Sequence, residues 1–241
     1  MTINSNIVLF AAIAPALVLA WYIYRRDKYQ HEPVGQLLKA FSLGIVAVLM
    51  AAPLEALLEA VGLTSSHSTT VIGNLWEAFF GVALVEEGCK LFVLWLMLRR
   101  NKYYDEMIDG VVYATMVGLG FAAAENIGYL FGNIDSWQSV AIGRALFAVP
   151  GHFMFAVAMG YYYSLNHFVS PSAGNRAKIL LFPVLLHGIY DGILMVMNVS
   201  AGGSAVLLLL FVVFCILMYR GAKRRIKRLL DDDKILYHLE L

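Results

Sequence analysis

Seven long apolar stretches divide the chain, and polar residues gather in the short segments between them. The stretches cover residues 6–24, 36–62, 72–98, 107–131, 138–164, 178–198 and 203–220. A helix of roughly 20 apolar residues crosses the ~30 Å hydrocarbon core of a bilayer. Because backbone polar groups in lipid must be satisfied within a helix or a closed barrel, we predict an all-α integral membrane protein. We expect a bundle of about seven transmembrane helices, with no sheet at membrane depth.

The composition agrees with this pattern. Hydrophobic residues make up 60% of the 241 residues, and the mean hydropathy is +0.70. Charged residues make up only 15%, against about 25% in soluble domains. These values exclude a disordered chain, a secreted disulfide scaffold and an ordinary cytosolic domain. Since the chain contains no internal repeat and no long polar segment, we predict a single membrane domain over residues 1–241.

The basic residues predict how the chain is oriented. Sixteen of the eighteen Lys and Arg lie in segments 25–39, 99–102 and 176–178 and in the tail that begins at Arg220. The alternate connections contain none. Because cytoplasmic loops are rich in Lys and Arg, we expect a multi-pass plasma-membrane protein with its N-terminus outside and its C-terminus in the cytoplasm. The expected partners include the lipid bilayer, with anionic lipids at the basic C-terminal tail; no nucleic acid is expected.

Charged side chains also occur within the predicted spans, where each costs roughly 2.5–3.5 kcal/mol at the bilayer centre. The third span contains Glu86, Glu87 and Lys90 near its middle. Glu86 and Lys90 are four residues apart and share a helix face. Two adjacent carboxylates in a low dielectric cannot both ionise cheaply unless Lys90 or a metal compensates them. Such a pair can supply a general base that works near neutral pH, whereas a packing salt bridge needs only one acid.

The fourth and fifth spans add polar residues at similar depth. Glu125 and Asn126 follow a run of Gly and Ala, which permits close helix contact and favours a place inside the bundle. His152 follows a Pro-Gly pair in the fifth span. Arg144, in the outer part of the same span, is predicted to be a counter-ion for Glu125 or a clamp for the substrate.

The sixth span contributes His187 and Asp191, which are four residues apart on one helix face. Two histidines and four carboxylates at one depth predict a polar intramembrane cavity between spans three to six. We expect this cavity to open toward the outer face. Three further acids, Glu55, Glu59 and Glu77, are predicted to be interfacial.

Four motifs in this order resemble the PrsW family of intramembrane proteases, which is distantly related to the CAAX prenyl endopeptidases and other Abi-type proteins. The motifs are EExxK (Glu86, Glu87, Lys90), FxxxEN (Phe121, Glu125, Asn126), a mid-helix histidine (His152) and HxxxD (His187, Asp191). They define a core over residues 80–195. The CAAX enzymes are less similar, because their second motif ends in His where this chain has Glu125. A prenyl-cysteine substrate is therefore not expected.

The resemblance implies an intramembrane endopeptidase that cleaves a membrane-tethered protein, such as an anti-sigma factor, on its extracytoplasmic side. We expect a catalytic role for the ionisable residues of the motifs: Glu86, Glu87, Glu125, His152, His187 and Asp191. Supporting roles are expected for Lys90, Asn126 and Arg144.

Two mechanisms of peptide hydrolysis are open at this point. Both need an activated water, a proton shuttle and stabilisation of an oxyanion. In the first, Glu86 is the general base, tuned by its charged neighbours, while His187 and Asp191 stabilise the developing charge. In the second, His152, His187 and Glu125 hold one zinc ion that lowers the pKa of its bound water to roughly 7, with Glu86 as base. The two histidines and the surplus of acids slightly favour the metal.

Two other classes of function use the same residues. A transporter of protons or divalent cations could use the acids and histidines as a relay, but transporters commonly show paired repeats with broken helices. In this chain the motifs fall on four consecutive spans without a repeat. A non-catalytic membrane scaffold would use the motifs only to hold helices together. It predicts that Glu86→Gln has no effect on a substrate.

Overall fold

The computed structural model describes residues 4–200 and 204–239, which form a bundle of seven helical segments. These are α1 (Ser5–Tyr24), α2 (Val34–Ala60), α3 (71–98), α4 (Asp109–Gly132), α5 (Ile134–Val169), α6 (Ala173–Val199) and α7 (Ser204–Leu239). The described residues contain no β-strand. The predicted all-α class is confirmed.

Six of the seven helices are long and apolar enough to cross a membrane. The exception is α3, because it contains four charged residues, Glu77, Glu86, Glu87 and Lys90. Its backbone is nevertheless helical from residue 71 to residue 98. The structure therefore contains six to seven membrane-length helices, as the apolar pattern predicts.

The helix α4 lies at the centre of the bundle and packs against α1, α2 and α5. Its contact with α2 is a close approach of two backbones. A Cβ atom added to Gly120 would lie 1.9 Å from the carbonyl oxygen of Phe41, and one added to Gly44 would lie 2.0 Å from that of Val117. Small residues of this kind let transmembrane helices pack tightly where lipid removes the hydrophobic driving force.

The last helix is longer than predicted. The apolar pattern ends near residue 220, but α7 continues to Leu239. This extension of α7 packs against the bundle, where Ile226 and Leu229 are buried. The basic residues of the tail therefore lie along a packed helix, and their contact with anionic lipids stays a prediction. The predicted start of this span, residue 203, lies outside the described residues.

The contact between α2 and α4 yields a stability prediction. We expect Gly120→Ala to lower the free energy of unfolding by about 1–3 kcal/mol, because the added methyl group must displace the backbone of α2. Gly128→Ala on the same helix is the control, since its Cβ would meet no atom within 4 Å and Ala favours a helix. Thermal unfolding in detergent measures both. Equal effects of the two substitutions would contradict the proposed packing.

Candidate active site

The polar motifs of four helices meet in one buried cluster. Glu86 on α3, His152 on α5 and His187 on α6 each lie near the middle of their helix. One ligand atom from each lies within 4.8 Å of the others. None of the three residues is more than 5% exposed. The cluster borders a cavity of about 550 Å³.

Two of the site residues follow segments of π-helix. A π-helical stretch at Glu77–Ala83 precedes Glu86, and another at Arg144–Ala148 precedes His152. Single π-turns within α-helices occur frequently at functional sites, because the extra residue re-aims the side chains that follow. The local backbone of α3 and α5 therefore differs from a regular helix where it carries the site.

Lys90 joins the two adjacent carboxylates. Its Nζ donates hydrogen bonds to Glu86 Oε2 at 2.9 Å and to Glu87 Oε1 at 2.8 Å. The same atom lies 3.2 Å from His152 Nδ1 and 3.9 Å from the centre of the Phe121 ring. Lys90 is 2% exposed, so one ammonium group compensates both acids away from water.

The cavity exposes only one member of the acid pair. Glu86 lines the cavity. Glu87 is fully buried, and its Oε1 contacts Lys90 and His187. A water or a substrate in the cavity can therefore reach Glu86 but not Glu87.

Each histidine has a carboxylate partner. His152 Nε2 lies 2.8 Å from Glu125 Oε2. His187 Nδ1 lies 3.0 Å from Glu87 Oε1, and its Nε2 lies 3.0 Å from Asp191 Oδ2. Carboxylates in these positions fix the orientation of an imidazole.

Arg144 borders the cluster beside Glu125 and Asn126. Its Nη2 donates to Glu125 Oε2 at 2.6 Å, and its Nε donates to Asn126 Oδ1. Asn126 in turn donates from Nδ2 to the backbone oxygen of Ala12 at 3.0 Å, which connects the site to α1. The structure thus brings the predicted catalytic and supporting residues into one network.

The structure differs from the predicted ligand set in one carboxylate. Glu86, rather than Glu125, groups with His152 and His187 as a set that can hold one metal ion. Glu125 instead forms an ion pair with Arg144 and contacts His152 Nε2.

The charges of the cluster suit a divalent cation. The ion pairs of the cluster contain four carboxylates, Glu86, Glu87, Glu125 and Asp191, but besides the histidines only two basic side chains, Lys90 and Arg144. A divalent cation would therefore bring positive charge to a place where acids are in excess. Two imidazoles and a carboxylate are also an ordinary donor set for catalytic zinc.

Glu55 belongs to the cavity, which corrects its predicted place at the interface. It lines the cavity, and its Oε1 is buried with no hydrogen-bond partner among the described residues. Glu59, its predicted partner, is exposed and accepts a hydrogen bond from Ser66 Oγ at 2.5 Å. The spacing of Val48, Ala52 and Glu55, which all line the cavity, was a signal of a shared helix face.

A helical membrane bundle with buried acids and histidines beside a cavity is the arrangement expected of an intramembrane hydrolase. The model of the PrsW family of intramembrane metalloproteases matches residues 32–218. The chain belongs to this family and is a membrane-embedded protease.

Relatives named Protease PrsW are similar to the chain over most of its length. The protein of Clostridioides difficile (strain 630) is 31% identical over 227 residues, which are 92% of this chain and 91% of the relative. That of Oceanobacillus iheyensis is 36% identical over 222 residues, covering 92% and 95%. That of Bacillus subtilis (strain 168) is 35% identical over 189 residues, covering 78% and 82%. No solved structure matches the chain.

The role of Lys90 yields a second stability prediction. We expect Lys90→Met to lower the free energy of unfolding by about 3–5 kcal/mol, because it leaves two buried carboxylates without their cation. Lys39→Met on α2 is the control, since Lys39 is exposed and its loss should change stability by less than about 0.5 kcal/mol. Chemical unfolding in detergent measures both. A small loss for Lys90→Met would mean that the acid pair does not depend on this ammonium group.

Proposed function

We propose that the chain hydrolyses a peptide bond in a membrane-tethered protein and that Glu86 accepts the proton of the attacking water. The observation that carries this proposal is the contrast within the acid pair, because Glu86 lines the cavity while Glu87 is fully buried. The family resemblance implies an anti-sigma factor as the class of substrate.

The hydrogen bonds of the cluster support further roles within this proposal. Lys90 holds Glu86 Oε2 and leaves Oε1 for the water. Arg144 also lines the cavity, so its guanidinium can stabilise negative charge on the scissile carbonyl oxygen. His187, which contacts Asp191 and lies 4.0 Å from Glu86 Oε2, can give a proton to the leaving amine nitrogen and then take up the proton that Glu86 received from the water.

The same cluster is suited to hold zinc through Glu86, His152 and His187. A zinc ion there would polarise the scissile carbonyl and lower the pKa of its water to roughly 7. Glu125 and Glu87 would then orient the two imidazoles. Glu86 would contribute one oxygen to the ion and could take the proton of the bound water with the other, so it stays the proposed proton acceptor.

The position of the cavity supports cleavage on the outer side. Its lining residues run from the middle of the helices toward the connections at 61–70 and 133. The basic segments 25–39 and 99–102 lie at the opposite helix ends. We therefore propose that the cavity faces the extracytoplasmic side of the plasma membrane, with the N-terminus outside and the C-terminus in the cytoplasm.

Substitution of Glu86 tests the proposed proton acceptor. We expect Glu86→Gln to slow cleavage about 10²- to 10⁴-fold, because the amide cannot take a proton from water. The assay is cleavage of a membrane-anchored substrate by purified protein in liposomes. Glu59→Gln is the matched control, because Glu59 is exposed and lies outside the cluster. A folded E86Q protein that cleaves at the wild-type rate would contradict the proposal.

Elemental analysis tests the metal. We expect about one zinc ion per wild-type chain and at least tenfold less zinc in His152→Ala and His187→Ala, because each loses one of three protein ligands. His67→Ala is the control, since His67 is exposed in the α2–α3 connection. Wild-type protein that is folded, active and free of metal would contradict the zinc assignment. Zinc that persists in both site variants would place the ion elsewhere.

A further inference from the structure

A second group of buried acids lies at the other end of the bundle. It consists of Asp27 in the α1–α2 loop, Glu106 in the α3–α4 loop and Asp109 at the start of α4. Asp109 and Glu125 are 16 residues apart on α4, which separates this group from the hydrolytic site by about 24 Å. The group is therefore distinct from the site around Glu86.

We propose that Asp27, Glu106 and Asp109 bind a hard divalent cation such as Mg²⁺ or Ca²⁺. One oxygen from each residue lies within 4.8 Å of the others. Two oxygens bound to the same ion at roughly 2.0–2.6 Å are at most about 5 Å apart, so the three carboxylates can share one ion. Donors that are all oxygen suit Mg²⁺, Ca²⁺ or Mn²⁺ better than zinc.

Backbone amides hold two of these carboxylates in place. Asp27 Oδ2 accepts a hydrogen bond from the N–H of Glu32 at 3.0 Å. Asp109 Oδ2 accepts from the N–H groups of Asp105 and Glu106 at 3.0 and 2.6 Å. The second oxygen of each aspartate, Oδ1, is buried and has no hydrogen-bond partner in the described part of the chain. Each aspartate thus keeps one oxygen for a ligand.

The environment of the Glu106 side chain points most directly to a bound cation. It is 8% exposed, and neither of its carboxylate oxygens has a hydrogen-bond partner within residues 4–200 and 204–239. Burial raises the pKa of Glu106 to about 7, and the charges of Asp233 and Asp27 add to the shift. The backbone N–H of Gln30 lowers the pKa of Glu106 but lies outside hydrogen-bonding geometry. A buried carboxylate without a donor is costly, and a cation would satisfy it.

The basic side chains of the neighbouring loop do not neutralise these acids. Arg25 and Arg26 lie over aromatic rings of α1, with 5.7 and 5.1 Å from the guanidinium carbon to the ring centre. Among the described residues, the three acids make one ion pair, between His31 Nδ1 and Asp27 Oδ2 at 3.9 Å. That imidazole is 52% exposed, so it compensates little of the buried charge.

The surrounding structure fixes the loop that carries Glu106. Asp233 on α7 accepts hydrogen bonds from the N–H groups of Met107 and Ile108 at 2.8 and 2.9 Å. The carboxylate that completes the group, Asp27, comes from the loop after α1. A bound cation would therefore tie two loops to the start of the central helix, and its binding should stabilise the whole bundle.

The thermal unfolding of the full chain, stripped with EDTA in detergent, tests this site. We expect an excess of Mg²⁺ to raise the unfolding temperature of the wild type by about 5 °C or more. Glu106→Gln and Asp27→Asn should each lose this shift. Asp105→Asn is the control that keeps it, because Asp105 is exposed and lies beside the group. His187→Ala should also keep it, since that substitution alters only the hydrolytic site.

Two results would overturn the proposal. The first is a wild-type protein whose unfolding temperature responds to neither Mg²⁺ nor Ca²⁺. The second is an equal shift in E106Q or D27N, which would mean that the cation binds elsewhere. Without the cation, both variants should unfold near the wild-type temperature, since each loses a buried carboxylate that lacks a full set of partners. This comparison separates loss of the ion from loss of the fold.

Discussion

Neutralisation of two adjacent buried carboxylates is the constraint on which the site depends. Glu86 and Glu87 lie in the middle of a helix, neither is more than 5% exposed, and Lys90 binds both. The pair costs stability unless its charges are compensated. Because the compensation comes from the same helix, α3 can present Glu86 to the cavity while Glu87 stays buried against His187. The buried acid pair, which costs folding stability, therefore contains the residue that we propose as the reacting group.

The packing of α4 extends this constraint to the rest of the bundle. Its glycines bring the backbones of α2 and α4 together, and its C-terminal half carries Glu125 into the cluster. Its first residue, Asp109, belongs to the separate acid group at the other end. The central helix therefore connects two charged sites through a tightly packed apolar middle. A shift of this helix would change the position of acidic side chains in both sites.

The sequence predicts the helices well and the site partly. Lipid leaves few choices for a 20-residue apolar stretch, so the helical class and most helix bounds follow from hydropathy. The motif residues can be predicted because a charged side chain is costly at membrane depth and is therefore rare there without a function. The grouping of Glu86, rather than Glu125, with the histidines depends on helix rotation, to which the π-helical segments contribute. Glu55 and the acid group around Glu106 depend on contacts between distant segments, which spacing within one helix does not reveal.

The most direct test of the account is the activity of two charge-balanced double variants in one cleavage assay. Lys90→Met with Glu87→Gln and Lys90→Met with Glu86→Gln each remove one positive and one negative charge, so both should fold better than Lys90→Met alone. We expect measurable cleavage only from the first variant, because it retains the carboxylate that lines the cavity. Cleavage by the second variant, or equal activity of the two, would contradict the assignment of Glu86 as the reacting group.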